Sequence, residues 1–220
     1  MRVSSGISGF DHLVEGGFEE GTVNLLTGKT GTGKSIFAMQ FLYKGAMHGK
    51  KGIFITTEDT AETIRKQAKK FNWNISAMEN AGMMKIIEIE PFDIDKLSDY
   101  MSEQLVNSDA ARIVIDSISM FELHTQDAFR LRKALFTLLN QLKKTNKVTL
   151  VTSEILEESK GLSRTGVIEF MVDGVIVLQF LGIAKFKRSL MIRKMRLTDH
   201  STDIHPFEIV VDGIEVKTIS

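Results

Sequence analysis

The feature that most constrains this chain is Gly28-Lys29-Thr30-Gly31-Thr32-Gly33-Lys34-Ser35, which fills the pattern G-x-x-x-x-G-K-[ST] at every defined position. An apolar run at 22–28 precedes it and reads as a buried strand. Apolar residues at helical spacing follow it: Ile36, Met39, Phe41, Leu42 and Ala46. Strand, glycine loop, helix is the context in which the pattern has physical meaning. The glycines let the backbone turn tightly, so successive N–H groups point inward around an anion. The helix start adds the positive end of its dipole. In such a loop Thr30, Gly31, Thr32, Gly33, Lys34, Ser35 and Ile36 surround a nucleotide's phosphates. Lys34 reaches the β- and γ-phosphates, and Ser35 offers its hydroxyl to Mg²⁺.

The remaining chain reads as alternating strands and helices. "GIFITTE" at 52–58 is a second strand, and Thr60 caps a helix through "AETIRKQAKKF", with Glu62 in its first turn. "MKIIEIE" at 84–90 is a third strand, stopped by Pro91; residues 95–106 form a helix. "ARIVIDS" at 111–117 is a fourth strand, 127–144 a long amphipathic helix with basic residues at its end, and "VTLVTSE" at 148–154 a fifth strand. Strict alternation predicts a parallel sheet with helices on both faces. Residues 155–166 are polar and read as a mobile loop. Then come "DGVIVLQFL", "RSLMIRKMRL", "HPFEIVV" and "IEVKTI", four strands extending the sheet, largely antiparallel, through short turns such as "GIAKFK". The expected fold is α/β: a P-loop NTPase with a mainly parallel central sheet, flanking helices and antiparallel C-terminal strands.

With 220 residues and no repeat, linker or low-complexity tract, one domain over 1–220 is the economical reading. Lys+Arg and Asp+Glu number 28 each, so no excess charge points to nucleic acid or an anionic membrane as main partner. The chain has no cysteine, which excludes disulfides, thiolate nucleophiles and Cys-metal sites. "MRVSSGISGF" has no apolar core of a signal peptide. The apolar stretch at 175–184 is broken by Gln179 and Gly182 and is too short to span a bilayer. A soluble, cytoplasmic protein is expected. His12, His48, His124 and His205 show no metal-ligand spacing. The 11 methionines read as irregular core filler.

Three acids fall at strand ends, the edge where parallel sheets gather their ligands. Asp116 closes "RIVID" and is the candidate carboxylate for Mg²⁺. The alternative is an ordinary strand-ending acid in a turn. Glu58 and Asp59 follow "FITT" and are candidates to activate water at the γ-phosphate. Asp59 reads equally well as an acid at the start of the helix capped by Thr60.

Most of the chain resembles the KaiC-like branch of the RecA/RadA ATPases. "SSGISGFDHLVEGGFEEGTVNLLTG" is similar to the family's run before its phosphate loop, and "TTEDTAETIRKQAKKFNW" to its paired-acid segment. That resemblance implies Glu58 as the catalytic carboxylate. Asp59 stands where a glutamate is usual, and Asn72 where a glycine precedes the tryptophan. "KMRLTDH" at 194–200 resembles K-x-R-G-[TS]-x-H, with Leu197 in place of the glycine. In relatives this segment touches a neighbouring subunit's nucleotide. The resemblance therefore implies trans contacts from Lys194, Met195, Arg196, Thr198 and His200, with Lys194 and Arg196 neutralising γ-phosphate charge. It also implies a homo-oligomer, a hexameric ring in the family. Glu154 falls where related ATPases sense the γ-phosphate; an exposed strand-end acid is the equal alternative.

The expected function is Mg²⁺-dependent binding and slow hydrolysis of ATP as a regulatory switch, with an unidentified protein partner. One alternative is a RadA-like DNA-binding recombinase. It is disfavoured because 155–166 balances Lys160 and Arg164 against Glu157 and Glu158 and offers no aromatic for base stacking. Another is a non-hydrolysing ATP-gated scaffold. An autokinase is not expected, since the family's phosphoacceptor pair aligns with Glu169 and Phe170, neither bearing a hydroxyl.

Overall fold

A computed structural model describes residues 1–89, 103–125, 127–156, 161–164, 166–183 and 186–217. Among the described residues, nine strands form one sheet. In chain order they are β3 (Val23–Gly28), β4 (Gly52–Thr56), β5 (Met84–Glu88), β6 (Arg112–Asp116), β7 (Val148–Glu154), β8 (Gly174–Ile183), β9 (Phe186–Met195), β10 (Ile204–Val210) and β11 (Gly213–Val216). A separate antiparallel pair, β1 (Arg2–Val3) and β2 (Phe18–Glu19), precedes them. The spatial order of the large sheet is β11-β10-β9-β8-β3-β7-β6-β4-β5. Strands β3 to β8 pair in parallel, and β9, β10 and β11 continue antiparallel. The mainly parallel α/β sheet expected from the sequence is present. β8 is the first C-terminal strand to join it and does so in parallel, beside β3.

The central strands are apolar throughout because both faces are covered. Alternate residues serve the two sides. Leu26, Phe54, Val114 and Leu150 pack in one core with α1 (Lys34–Met47), α2 (Ala61–Lys69) and α3 (Ile75–Asn80). Leu25, Ile55, Ile115 and Val151 pack in the other, beneath Leu131, Leu135, Leu138 and Leu142 of a long helix. That helix, α5 (Ala128–Lys143), follows the short α4 (Ser119–His124). A further one-turn helix, α6 (Ile168–Met171), leads into β8. Asp127 caps α5 by accepting from Phe129 N (2.8 Å) and Arg130 N (3.1 Å). Thr60 caps α2 by accepting from Thr63 N (3.2 Å).

α3, α4 and α6 have six residues or fewer, too short for a periodic signal in sequence. The helix expected over 95–106 lies mostly outside the described residues; 103–106 are helical. Glu90, Pro91, the last residues of "IEVKTI" and part of the "GIAKFK" turn also lie outside them. The expectation of a mobile loop over 155–166 needs correction where it is described. Ser163 is buried. The Leu162 carbonyl accepts from the Thr27 hydroxyl (2.6 Å), and the Leu162 N–H donates to Glu169 Oε1 (3.3 Å). The Leu162 backbone and the Ser163 hydroxyl thus bond within the protein.

Register sets the level of the site. Gly28 stands opposite Glu154 across β3 and β7, and Thr56 opposite Asp116 across β4 and β6. Four strand ends thus open on one edge of the sheet, where ligands of open α/β sheets bind.

Candidate nucleotide-binding site

The glycine loop follows β3 and turns directly into α1. At Gly28 an added Cβ would fall 2.3 Å from the Leu178 carbonyl oxygen, so the neighbouring strand demands glycine. Gly31 and Gly33 hold φ of 78° and 112°, the left-handed region that glycine favours. Thr32 folds back, its N–H and hydroxyl donating to Lys29 O at 3.3 and 2.8 Å. Gly33 caps α1 without a side-chain bond, so the first-turn N–H groups are not claimed by a cap and point toward the loop. Lys34 lies buried over the loop, donating to Gly28 O (3.0 Å) and Lys29 O (3.2 Å). Burial lowers its proton affinity, while the carboxylates of Glu154, Asp116 and Glu58 oppose that shift. Lys34 Nζ stands 4.0 Å from Glu154 Oε1, which also accepts from the Thr30 hydroxyl (3.0 Å).

The strand-end acids meet here. Asp116 accepts from the hydroxyls of Thr152 and Ser35. Burial pushes its carboxyl upward; Thr152, Ser35 and Lys34 oppose, and Asp59 adds to the push. Glu58 accepts from the Ser117 hydroxyl. Burial raises its proton affinity first, with Asp116 and Glu154 adding and Ser117 and Lys34 opposing. Glu58 remains solvent-exposed, so these effects are screened. Ser35 and Asp116 are hard oxygen donors side by side, which suits Mg²⁺ with water and phosphate oxygens as its remaining ligands. Among the described residues no group of three or more His, Cys, Asp or Glu converges on a metal position.

Thr30, Gly31, Gly33, Lys34, Ser35, Ile36, Glu58, Gln67, Asp116, Ser117 and Glu154 line a cleft of about 370 Å³. A larger hollow of about 620 Å³, beside Lys51, Gly52, Met84 and Asp109, contains no residue of the loop. Asp59 is outside the cleft's lining and accepts from Gln67 Nε2 (3.4 Å), near the start of α2. Four contributors were not singled out in sequence. Ser117 and Thr152 bond the two acids, and the Ser119 hydroxyl accepts from Glu154 N (2.9 Å). Arg188 stacks on the Phe180 ring, 5.3 Å to its centroid, and donates to Gly31 O (3.2 Å). Ser117 and Thr152 had a usable signal, a hydroxyl within a residue or two of a strand end. Arg188 had none, since only the β8–β9 pairing brings it to the loop.

The segment 194–200 lies at the other end of the sheet from its own loop. Met195 pairs with Gly174, and Gly174 with Asn24 near the start of β3. The loop begins four residues farther on, about 13 Å at the rise of a strand. Lys194 Nζ donates to Glu169 O (3.1 Å) and Val172 O (2.6 Å). Arg196 and Lys143 both reach Asp173 Oδ1, at 3.3 and 2.9 Å. Burial lowers the proton affinity of Lys194, and Arg196 and Lys143 reinforce this against Asp173. Met195 alternates inward and its side chain packs in the core, which leaves its backbone for any contact with a neighbouring chain. Leu197 holds φ 58° and is 82% exposed, and its carbonyl accepts from Arg2 Nη2 (2.9 Å). Arg2 Nη1 also donates to the Thr198 hydroxyl (2.7 Å). His200 Nδ1 lies 3.0 Å from Ser201 O.

Sheet order, strand-end acids and glycine cradle together define a P-loop protein with the RecA-type core. A family model described as "ATPase: KaiC" matches residues 3–220, and the chain belongs to that family. It is 34% identical over 227 residues to a circadian clock oscillator protein KaiC from Parathermosynechococcus lividus, covering 98% of this chain and 42% of that protein. The chain thus spans less than half the length of these clock relatives. A UPF0273 protein from Methanopyrus kandleri is 34% identical over 233 residues, with 98% and 91% covered. The crystal structure of a KaiC-like protein from Pyrococcus horikoshii superposes with a TM-score of 0.90 at 41% identity, covering 99% of each chain. Membership supports ATP binding by a RecA-type ATPase. Among the described residues no helix is long and apolar enough to cross a membrane.

Proposed function

We propose that residues 1–220 act as one ATPase domain that binds Mg-ATP in this cleft and hydrolyses it slowly as a nucleotide-driven switch, using a site shared with a second copy of the chain. The observation that carries this reading is a charge mismatch. Among the described residues lining the cleft, Lys34 is the one cation, against Glu58, Asp116 and Glu154. A triphosphate needs more positive charge than that, and charge that develops in the transition state needs more still. At the opposite end of the sheet Lys143, Lys194 and Arg196 surround a single acid, Asp173. That edge carries the surplus the cleft lacks, and it cannot bend back across the sheet to its own loop. Stacking copies head to tail brings it to the next cleft, a heterologous contact that closes into a ring. The family resemblance supports a hexamer as the size of that ring.

In this reading Lys34 and the loop N–H groups hold the phosphates. Ser35 and Asp116 hold Mg²⁺, which supplies charge neutralisation at the β- and γ-phosphates. Glu58 orients and deprotonates water; its raised proton affinity moves it toward the range useful to a base. Asp59 assists from the rim, and Glu154 senses the γ-phosphate through Lys34 and Thr30. Lys194 and Arg196 act in trans, with Thr198 and His200 beside them and Met195 contributing its backbone. Autophosphorylation at Glu169 and Phe170 has no hydroxyl to receive it. A regulatory protein partner reads the nucleotide state, in the cytoplasm.

The test is to size the protein with and without Mg-ATP while measuring phosphate release over a range of chain concentrations. Assembly with Mg-ATP and a turnover per chain that rises with concentration are expected. Turnover independent of concentration in a proven monomer rejects the shared site. Tight ATP binding with no phosphate release would identify a scaffold.

A further inference from the structure

Lys194 is held in a built seat. Its ammonium bonds the carbonyl of Glu169, inside the single turn α6, and that of Val172, which follows the turn. Among the described residues these bonds use two of its three donors and leave one for a ligand. The seat is fixed from behind by the Glu169 carboxylate. Oε2 accepts from the Ser163 hydroxyl (2.5 Å) and Oε1 from Leu162 N (3.3 Å). The Leu162 carbonyl lies 2.6 Å from the hydroxyl of Thr27, the residue before Gly28. A continuous line of contacts therefore runs from the cradle strand, through Leu162 and Glu169, to the ammonium of Lys194.

We propose that Glu169 is a positioning residue for Lys194: its carboxylate braces α6 against the cradle strand, so each chain's own cradle strand sets the aim of the lysine it lends to the next site. The inference rests on the shared-site reading above. A free lysine samples many rotamers, and holding it in one place removes that entropy before the reaction begins. Glu169 touches no substrate. It acts through the carbonyl that its own side chain keeps in place.

The experiment measures steady-state ATP turnover of the assembled protein for wild type, Ser163→Ala, Glu169→Ala, Glu169→Gln, Lys194→Ala and Glu169→Ala/Lys194→Ala. Glu169→Ala is expected to lower kcat about fivefold to tenfold with KM for ATP within about twofold, the pattern of an interaction realised in the transition state. Ser163→Ala should show a smaller loss in the same direction and remains informative if Glu169→Ala does not fold. Glu169→Gln keeps one acceptor oxygen and should recover most of kcat. In the Lys194→Ala background, Glu169→Ala should have no further effect, because both changes disable the same group. Equal losses in both backgrounds, or a raised KM with kcat unchanged, overturn the inference. So does a slow Lys194→Ala variant alongside unaffected Glu169→Ala and Ser163→Ala. A Lys194→Ala variant as fast as wild type rejects the shared site itself.

Discussion

The Ser117 hydroxyl donates to the Glu58 carboxylate and ties the turn after β6 to the turn after β4. This bond favours the ionised acid, against the burial and neighbouring carboxylates that favour the neutral one. In the proposed mechanism Glu58 acts as a base only when ionised, and its titration would then set the acidic limb of the rate profile. Ser117→Ala removes the opposing bond, so the acidic limb of kcat/KM should move to higher pH. An unmoved limb assigns it to another group.

Asp116 offers a stability measurement that needs no nucleotide. Burial makes its folded carboxyl bind protons more tightly than the unfolded one does. The folded state then holds more protons through that window, and stability falls as pH rises through it. Asp116→Asn removes the charge and keeps partners for Thr152 and Ser35. The variant should be more stable than wild type at pH 7 without Mg-ATP. The gain should fade as pH drops to about 4, where the unfolded carboxyl is also protonated. Thermal unfolding across pH checks both the sign and the window.

Lys34→Ala removes the only cation lining the cleft among the described residues, and with it the donor to Gly28 O and Lys29 O. A bond to a charged group is worth roughly 1.5–3 kcal/mol, which corresponds to about 10- to 100-fold in Kd. Calorimetric titration with Mg-ATP should show a loss of that size. Unchanged affinity would show that the nucleotide binds elsewhere.

Leu197 occupies the left-handed region with its side chain in solvent, held by Arg2 at its carbonyl. The conformation costs a non-glycine residue about 1–2 kcal/mol. Glycine regains that but loses about 0.5–1 kcal/mol through the freedom of the unfolded chain. Leu197→Gly should therefore stabilise the protein by up to about 1.5 kcal/mol in denaturant unfolding. A loss of stability would mean that the Leu197 side chain packs against something that compensates for the strain.

Much of the site was legible because it is local. The cradle, its strand and its helix occupy fewer than thirty consecutive residues, and glycine, lysine and serine have roles there that depend on near neighbours alone. Glu58 and Asp116 were legible by a rule of position, since parallel strands deliver their ends to one edge. Asn72 and Leu197 replace glycines of the family pattern, yet both hold positive φ, at 58° each. The backbone requirement outlasted the residue that usually meets it. Asn adopts that region easily, whereas Leu does so under tertiary constraint. The inward face of Met195 was not legible, because a motif does not say which face of a strand a residue takes. The alternation of β9 sends Met195 inward between Lys194 and Arg196.

By itself the sequence determined the phosphate cradle, the parallel order of strands and helices, and the acids available at strand ends. Each depends on hydrophobic period, backbone freedom or a cap, which act over a few residues. Only the tertiary structure decided which groups meet. Thr27 bonds Leu162 from 135 residues away, and Arg2 bonds Thr198 from 196 away. Strand register, set by burial of both faces of the sheet, aligned Glu154 with Gly28 and Asp116 with Thr56. The same register placed Lys143, Lys194 and Arg196 at the end of the sheet opposite the cradle, out of reach of the chain's own loop, which is the placement that the proposed shared site draws on.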